Sequence, residues 1–341
     1  MGGKKKADSN SASSPAKGGA PDDSGDKLYR ACRRNMIEYG ASMPKKLEEK
    51  FLTIRDEKNP GFLQEIVFWD NVGVLVIRAL ADALRDTQYH HVQSIQCWKA
   101  GAEDEGVRSF MQFIRVCPTV SVLEFLDCGV TALGCEFISN TLLAKPENPL
   151  TILKLDHNNI SDEGMLNLSR ALRMNSVLRI LSLSYCSLTE NAGRPLMEIL
   201  IFQESSLEEI ELRGNLLRNP GCTQVLFACK INKALGTLGL ADNEITDEGN
   251  VPRDIIEMLK MNETLNKLDL SYNHITSNGF RYICENYKTG SGKINNTLSE
   301  LILPQSGVTD DLIESLAGLL SSSGASKGKK GKKKGKKKGK K

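Results

Sequence analysis

Aromatic residues make up only 6% of this 341-residue chain, with two tryptophans and four histidines in all. No stretch approaches the ~18 apolar residues that a membrane-crossing helix needs, so no membrane span is expected. No apolar run follows the opening MGGKKKADSNSASSPAKGGAP, so no secretory signal is expected there. Nine cysteines, an odd number, stand singly without a C-x-x-C pair, which suits a reducing compartment better than a disulfide framework. They also stay apart from His90, His91, His157 and His274, no two of which have helical ligand spacing, so a zinc site is not expected. Chemistry-bearing motifs are scarce too. There is no G-x-S-x-G elbow or kinase signature. The stretch KTGSGKINN (288–296) has the wrong spacing for a phosphate loop, with Ile294 where Ser or Thr should bind magnesium. Asp156, Asn158 and Asp162 imitate a calcium loop, but Ile160 takes a ligand position. The sequons at Asn159, Asn167, Asn262 and Asn295 read as composition. No catalytic residue, metal or cofactor is therefore expected.

Charge is distributed unevenly. The formal net charge is +3, yet residues 327–341 hold 11 lysines and no acid; with those set aside the remainder carries −8. Residues 1–26 are rich in Ser, Gly, Lys and Asp and have almost nothing to bury, which predicts a disordered arm. Residues 323–341 are expected to form a second disordered segment, because their lysines repel and their glycines oppose helix formation.

Between these ends the chain repeats itself. TILKLDHNNISDEG, VLRILSLSYCSLTENAG, LEEIELRGNLLRNPG, LGTLGLADNEITDEG and LNKLDLSYNHITSNG share L-x-x-L-x-L-x-x-N/C-x-L, usually with a glycine four positions on. The first apolar position falls at Val92, Val120, Leu150, Leu178, Leu207, Leu235, Leu265 and Leu298, and a degenerate ninth copy begins at Leu63. In L-x-L, buried leucines alternate with outward residues, the period of a short strand. The asparagine that follows (Asn158, Asn215, Asn243, Asn273) has an amide able to bond a turning backbone, and Cys128 and Cys186 take that slot in two copies. Gly134, Gly164, Gly221, Gly249 and Gly279 are expected to mark the chain reversal into a helix. Met165, Leu168 and Leu172 in GMLNLSRALRMN have helical spacing. A strand and a helix per unit cannot bury their apolar sides alone, so stacked units are expected to form one curved solenoid.

A period near 28–30 with a full helix resembles the ribonuclease-inhibitor-type leucine-rich repeat family, over residues 63 to about 320. The resemblance implies an α/β horseshoe, with parallel strands on the concave face and helices on the convex face. The expected organisation is an arm at 1–26, a helical N-terminal cap at 27–62, a solenoid of about nine repeats at 63–322 and a basic tail at 323–341.

In such units positions 3, 5, 7 and 8 should face the inner surface. Position 7 places both tryptophans, Trp69 and Trp98, on adjacent strands about 4.8 Å apart, followed by Leu126. Position 3 contributes Val122, Ile152 and Ile180, and position 8 contributes Tyr185 and Tyr272. This aromatic and aliphatic patch is the candidate protein-binding site. The other reading has the N-terminal cap fold over Trp69 and Trp98 and make them core.

Three functions compete. The first is a non-catalytic scaffold that docks other proteins through its concave face and loops. Tyr29, Cys32 and Asn35 ahead of Pro44, followed by the repeats, resemble the leucine-rich repeat proteins of cilia and flagella, such as the leucine-rich repeat subunit of the dynein regulatory complex. KGKKGKKKGKKKGKK also resembles the tails of axonemal proteins. That resemblance implies a place in the axoneme, within the cytoskeleton, with the lysines against the acidic microtubule surface. The second is a nucleolar or ribosome-associated factor whose tail binds RNA; no aromatic interrupts the lysine run, so such binding should be sequence-blind. The third is a Ran-type GTPase-activating protein. Those proteins end in an acidic segment, and here Arg218 is the sole arginine the strand-to-helix loops offer as a finger.

Overall fold

The computed structural model describes residues 23–55, 61–289, 292–304 and 308–321. Most of the expected arm, residues 1–22, and the expected tail from 323 onward lie outside the described residues. The arm's expected end at 26 is corrected, since helix α1 (Ser24–Glu38) already starts at Ser24. Asp26 explains the early start. It pairs with Arg30 one turn on, at 2.6 Å, and with Arg55 at 2.8 Å beyond the second helix.

That helix, α2 (Lys45–Ile54), precedes nine strands of one parallel sheet. In chain order the first eight are β1 (Glu65–Phe68), β2 (Ser94–Trp98), β3 (Val122–Leu126), β4 (Ile152–Lys154), β5 (Ile180–Ser182), β6 (Glu209–Glu211), β7 (Thr237–Gly239) and β8 (Lys267–Asp269). A small antiparallel hairpin, β9 (Lys288–Thr289) and β10 (Gly292–Lys293), interrupts the array and accounts for its longest repeat spacing. The ninth strand of the sheet, β11 (Glu300–Ile302), then pairs with β8. Helices α3 (Val74–Asp86), α4 (Glu103–Val116), α5 (Ala132–Ala144), α6 (Ser161–Leu172), α7 (Gly193–Leu200), α8 (Arg218–Cys229), α9 (Val251–Met261), α10 (Ser277–Asn286) and α11 (Asp310–Ser321) alternate with the strands. The expected leucine-rich repeat solenoid is thus observed.

Register follows the repeat. Val122 pairs with Ile152 and Ile152 with Ile180, so equivalent positions form straight rows across the sheet. The leucines of each L-x-L, such as Leu153 with Leu155 and Leu181 with Leu183, are fully buried. They meet the apolar stripe of the helices, Met165, Leu168 and Leu172 in α6. All nine cysteines are free and buried, and burial pushes the Cys186 thiol up to about 12, so it stays protonated at neutral pH.

The asparagine slot ties the copies together. Asn215 Nδ2 donates to the carbonyls of Leu183 and Leu212 at 2.9 and 2.8 Å, while its Oδ1 accepts from the N–H groups of Cys186 and Leu188 at 3.0 Å each. Asn158 and Asn273 repeat this arrangement, each two copies away, one on either side. Where cysteine fills the slot, its thiol donates to the preceding copy, Cys128 Sγ to the Cys97 carbonyl at 3.3 Å.

The glycines need correcting. Gly249 alone of the five has a left-handed backbone, with φ +81°; the other four sit inside the first turns of helices. They are small because a neighbour presses against them. A Cβ on Gly134 would lie 2.6 Å from Asp104 Oδ1, and one on Gly279 would lie 2.5 Å from Asp247 Cβ. Those two aspartates hold the next helix start. Asp104 accepts from Thr131 N, Thr131 Oγ1 and Gly134 N at 2.8, 2.6 and 2.9 Å, and Asp247 accepts from Thr276 Oγ1 and Gly279 N at 2.6 and 2.8 Å. Asp162 does the same for Thr189, which fixes the aspartate of the calcium-loop mimic as a bridge between repeats. Sequence reasoning missed these bridges.

Candidate protein-docking face

The strand-end turn places the site. At position 8 the backbone turns left-handed in successive copies, with φ of +52° at Lys99, +51° at Asp127, +60° at His157, +55° at Tyr185 and +58° at Tyr272. The next residue is thereby turned inward to bond its neighbours, while the position-8 side chain is left at the rim of the concave face. For a side chain with a Cβ this conformation is uncommon, so the surrounding hydrogen bonds must hold it.

At the N-terminal end, Trp69 and Trp98 form an edge-on pair with ring centroids 5.5 Å apart. They are 58% and 44% exposed, so the alternative in which the cap buries them is corrected. Helix α1 instead docks onto α3. Cys32 is fully buried there, Asn35 Nδ2 donates to the Ala79 carbonyl at 3.2 Å, and the Tyr39 hydroxyl donates to Asp82 at 2.7 Å. Tyr29 stacks edge-on against Phe51 of α2 with Arg55 over its ring. Tyr29, Cys32 and Asn35 therefore have structural duties in the cap and do not reach the concave face. The tryptophan pair is continued by Leu126, Val122, Ile152 and Ile180, all half-buried. Lys99 lies over the Trp98 ring and 3.7 Å from Asp127, which edges the apolar patch with charge.

Tyr185 and Tyr272 lie further along and form a different surface. Tyr185 stacks on His157 with centroids 4.6 Å apart, and its hydroxyl accepts from Arg213 Nε at 3.2 Å. The same guanidinium lies 4.8 Å over the Tyr272 ring, which is 69% exposed. His157, Tyr185, Arg213 and Tyr272 thus make one ridge. The position-8 row of the sequence held Tyr185 and Tyr272, but only the geometry joins them, through the arginine. Below the ridge, burial raises the Glu211 carboxyl from its ordinary 4.5 to about 6, helped by Glu209 and Asp269. Glu211 lies over Gly239 of the next strand, where any side chain would collide with it.

Among the described residues no group of three His, Cys, Asp or Glu side chains is placed to hold a metal ion, and no helix is long and apolar enough to cross a membrane. Arg218, the candidate finger, is engaged by Glu244 at 3.0 Å and Glu190 at 3.4 Å.

Comparison with known proteins agrees at the level of the repeat. A family model described as "Leucine Rich repeat" matches residues 148–169 and 262–284. Human NACHT, LRR and PYD domains-containing protein 5 is 28% identical over 224 residues, which is 64% of this chain and 18% of that protein. Mouse ribonuclease inhibitor is 29% identical over 169 residues, 48% of this chain and 35% of the inhibitor. The chain thus spans about a third or less of the length of these relatives. A crystal structure of a TLR13–ssRNA13 complex covers 72% of this chain and 38% of its own, at 16% identity and a TM-score of 0.37. Nine copies in register on one parallel sheet, together with the repeat match, make this chain a leucine-rich repeat solenoid, similar at low identity to ribonuclease inhibitor and to NACHT, LRR and PYD domains-containing proteins.

Proposed function

We propose that the chain is a non-catalytic scaffold that holds a protein partner on its concave face, within an axonemal assembly of the cilium or flagellum. The exposed Trp69–Trp98 pair beside Leu126, Val122, Ile152 and Ile180 carries the docking half of this reading. A water-facing tryptophan pair edged by charge is costly to leave uncovered and is the residue type that anchors interfaces. The ribonuclease inhibitor, as its name states, acts on another protein, which accords with a surface of this kind. The axonemal half rests on the resemblance of the segment holding Tyr29, Cys32, Asn35 and Pro44, and on the lysine run at 327–341. Those lysines serve as an electrostatic tether to the acidic microtubule surface, close-range because charge is screened beyond about 8 Å in physiological salt.

The test has two arms. A tagged full-length chain should localise to axonemes, and Trp98→Ala should lose its co-purifying partner while melting as wild type does. Deleting residues 327–341 should weaken co-sedimentation with microtubules most at low salt. Nucleolar signal, with RNA lost on the same deletion, would move the assignment to the RNA-binding alternative.

A further inference from the structure

The sheet has one edge whose unused bonds the structure identifies. In every internal strand, even positions of the repeat bond to the following copy and odd positions to the preceding one. Lys99 N–H donates to the Leu126 carbonyl at 2.9 Å, Leu155 N–H to the Ser182 carbonyl at 2.9 Å, and Leu183 N–H to the Glu211 carbonyl at 2.8 Å. Strand β1 pairs only with β2, so its odd positions, Glu65, Val67 and Trp69, turn their backbone groups outward. The Glu65 carbonyl accepts from Lys50 Nζ at 3.0 Å, a side chain standing where a strand donor would be. The outward groups of Val67 and Trp69 have no partner among the described residues. Helix α2 does not close this edge. A cleft of about 270 Å³ separates its first half from β1, lined by Pro44, Lys46, Leu47, Lys50, Val67 and Trp69.

We infer that this cleft takes an extended, acidic segment of another protein, which adds a tenth strand to the sheet beside β1. Main-chain bonds to Val67 and Trp69 would supply register, and an apolar side chain would sit against Val67 and Leu47. Charge selects the occupant. Lys45, Lys46 and Lys50 line the cleft against two acids, Glu65 and Asp70, and Asp70 already pairs with Lys46 at 3.1 Å. An incoming carboxylate draws Lys50 off the Glu65 carbonyl and frees it for a strand N–H. A second copy of the chain would bring a matching set of lysines face to face with these. The lysine-bearing segments 1–22 and 327–341 of this chain carry the same sign of charge. The cleft meets the concave patch at Trp69, and Trp98, which belongs to the patch and does not line the cleft, tells the two apart.

The probe is the peptide acetyl-ETVEVTE-amide, titrated onto the full chain and followed by tryptophan fluorescence and by hydrogen exchange at the Val67 amide. Saturable binding with slowed exchange at Val67 is expected. N-methylation of alternate peptide residues, lysine in place of each peptide glutamate, or the variant carrying both Lys46→Glu and Lys50→Glu should each weaken binding at least tenfold. Trp98→Ala should leave it unchanged. Val67→Pro removes an outward N–H and none of the β1–β2 ladder, so it should abolish binding with an unaltered circular dichroism spectrum. If that variant fails to fold, the methylated peptide on the wild-type chain decides. Equal affinity for the methylated and unmethylated peptides would reduce the site to charge and overturn strand addition. So would no saturation at millimolar peptide, or a concentration-dependent dimer that Val67→Pro abolishes.

Discussion

Two rows of side chains run side by side across the sheet, one residue apart, and they behave in opposite ways. The inner row, position 9, is Asn or Cys from Cys128 to Asn273 and is buried; its side chains bond the backbone of the preceding copy. The outer row, position 8, runs Lys99, Asp127, His157, Tyr185, Gly214, Asp242 and Tyr272, which share a left-handed backbone but no one side-chain type. Repetition within the chain marks what the fold requires. Its absence at the neighbouring position marks what the fold leaves free for recognition.

That contrast can be broken at several points. The largest effect is expected beneath both rows. Leu183→Ala removes a fully buried side chain between strands and should cost about 2–5 kcal/mol in a denaturant melt, whatever occupies the outer row. Trp98→Ala on the exposed side should show the reverse pattern, with an unchanged melt and a loss of roughly 2 kcal/mol or more in partner binding measured by calorimetry. A melt that falls by as much as the Leu183 variant would make that tryptophan part of the core. Asn215→Ala leaves the carbonyls of Leu183 and Leu212 and the N–H groups of Cys186 and Leu188 without partners. It should cost about 1–3 kcal/mol, whereas Tyr185→Ala one copy earlier in the outer row should cost far less. The smallest effect is expected at Glu211, in the strand leading to both rows, and it depends on pH. Glu211 titrates near 6 in the folded chain against an ordinary 4.5, so the fold prefers it neutral. Its contribution is therefore most favourable below 4.5 and is lost as the pH rises through 6. Glu211→Gln should raise the melting temperature at pH 7.5, and that gain should vanish by pH 4.5.

The leucines, the strand register and the helix stripe were legible because nine copies restate the same constraint, and any one-residue slip would turn Leu155 or Leu183 to water. The Asp104–Thr131 and Asp162–Thr189 bridges were not legible. Each joins residues 27 apart, and each partner alone resembles an ordinary helix start. The glycines were misassigned for a related reason, since a small residue near a turn reads as a turn residue until the aspartate pressing on it is seen. At the candidate face, sequence spacing put Trp69 and Trp98 side by side. Their exposure depended on where α1 and α2 came to rest, which spacing within the repeats does not encode. The ridge of His157, Tyr185, Arg213 and Tyr272 needed the arginine's reach across three strands to be visible.

The cysteine rungs give the solenoid a graded stiffness. An amide rung fastens its neighbour with donors and an acceptor together. A thiol rung offers one long contact, Cys128 to the Cys97 carbonyl and Cys186 to the Leu155 carbonyl, both at 3.3 Å. Asn215, Asn243 and Asn273 follow one another without a thiol between them, so the copies at that end are tied by amide rungs throughout. The two compliant joints lie under the tryptophan and aliphatic end. A partner seated on the proposed docking face would therefore rest on the copies joined by the fewest side-chain bonds.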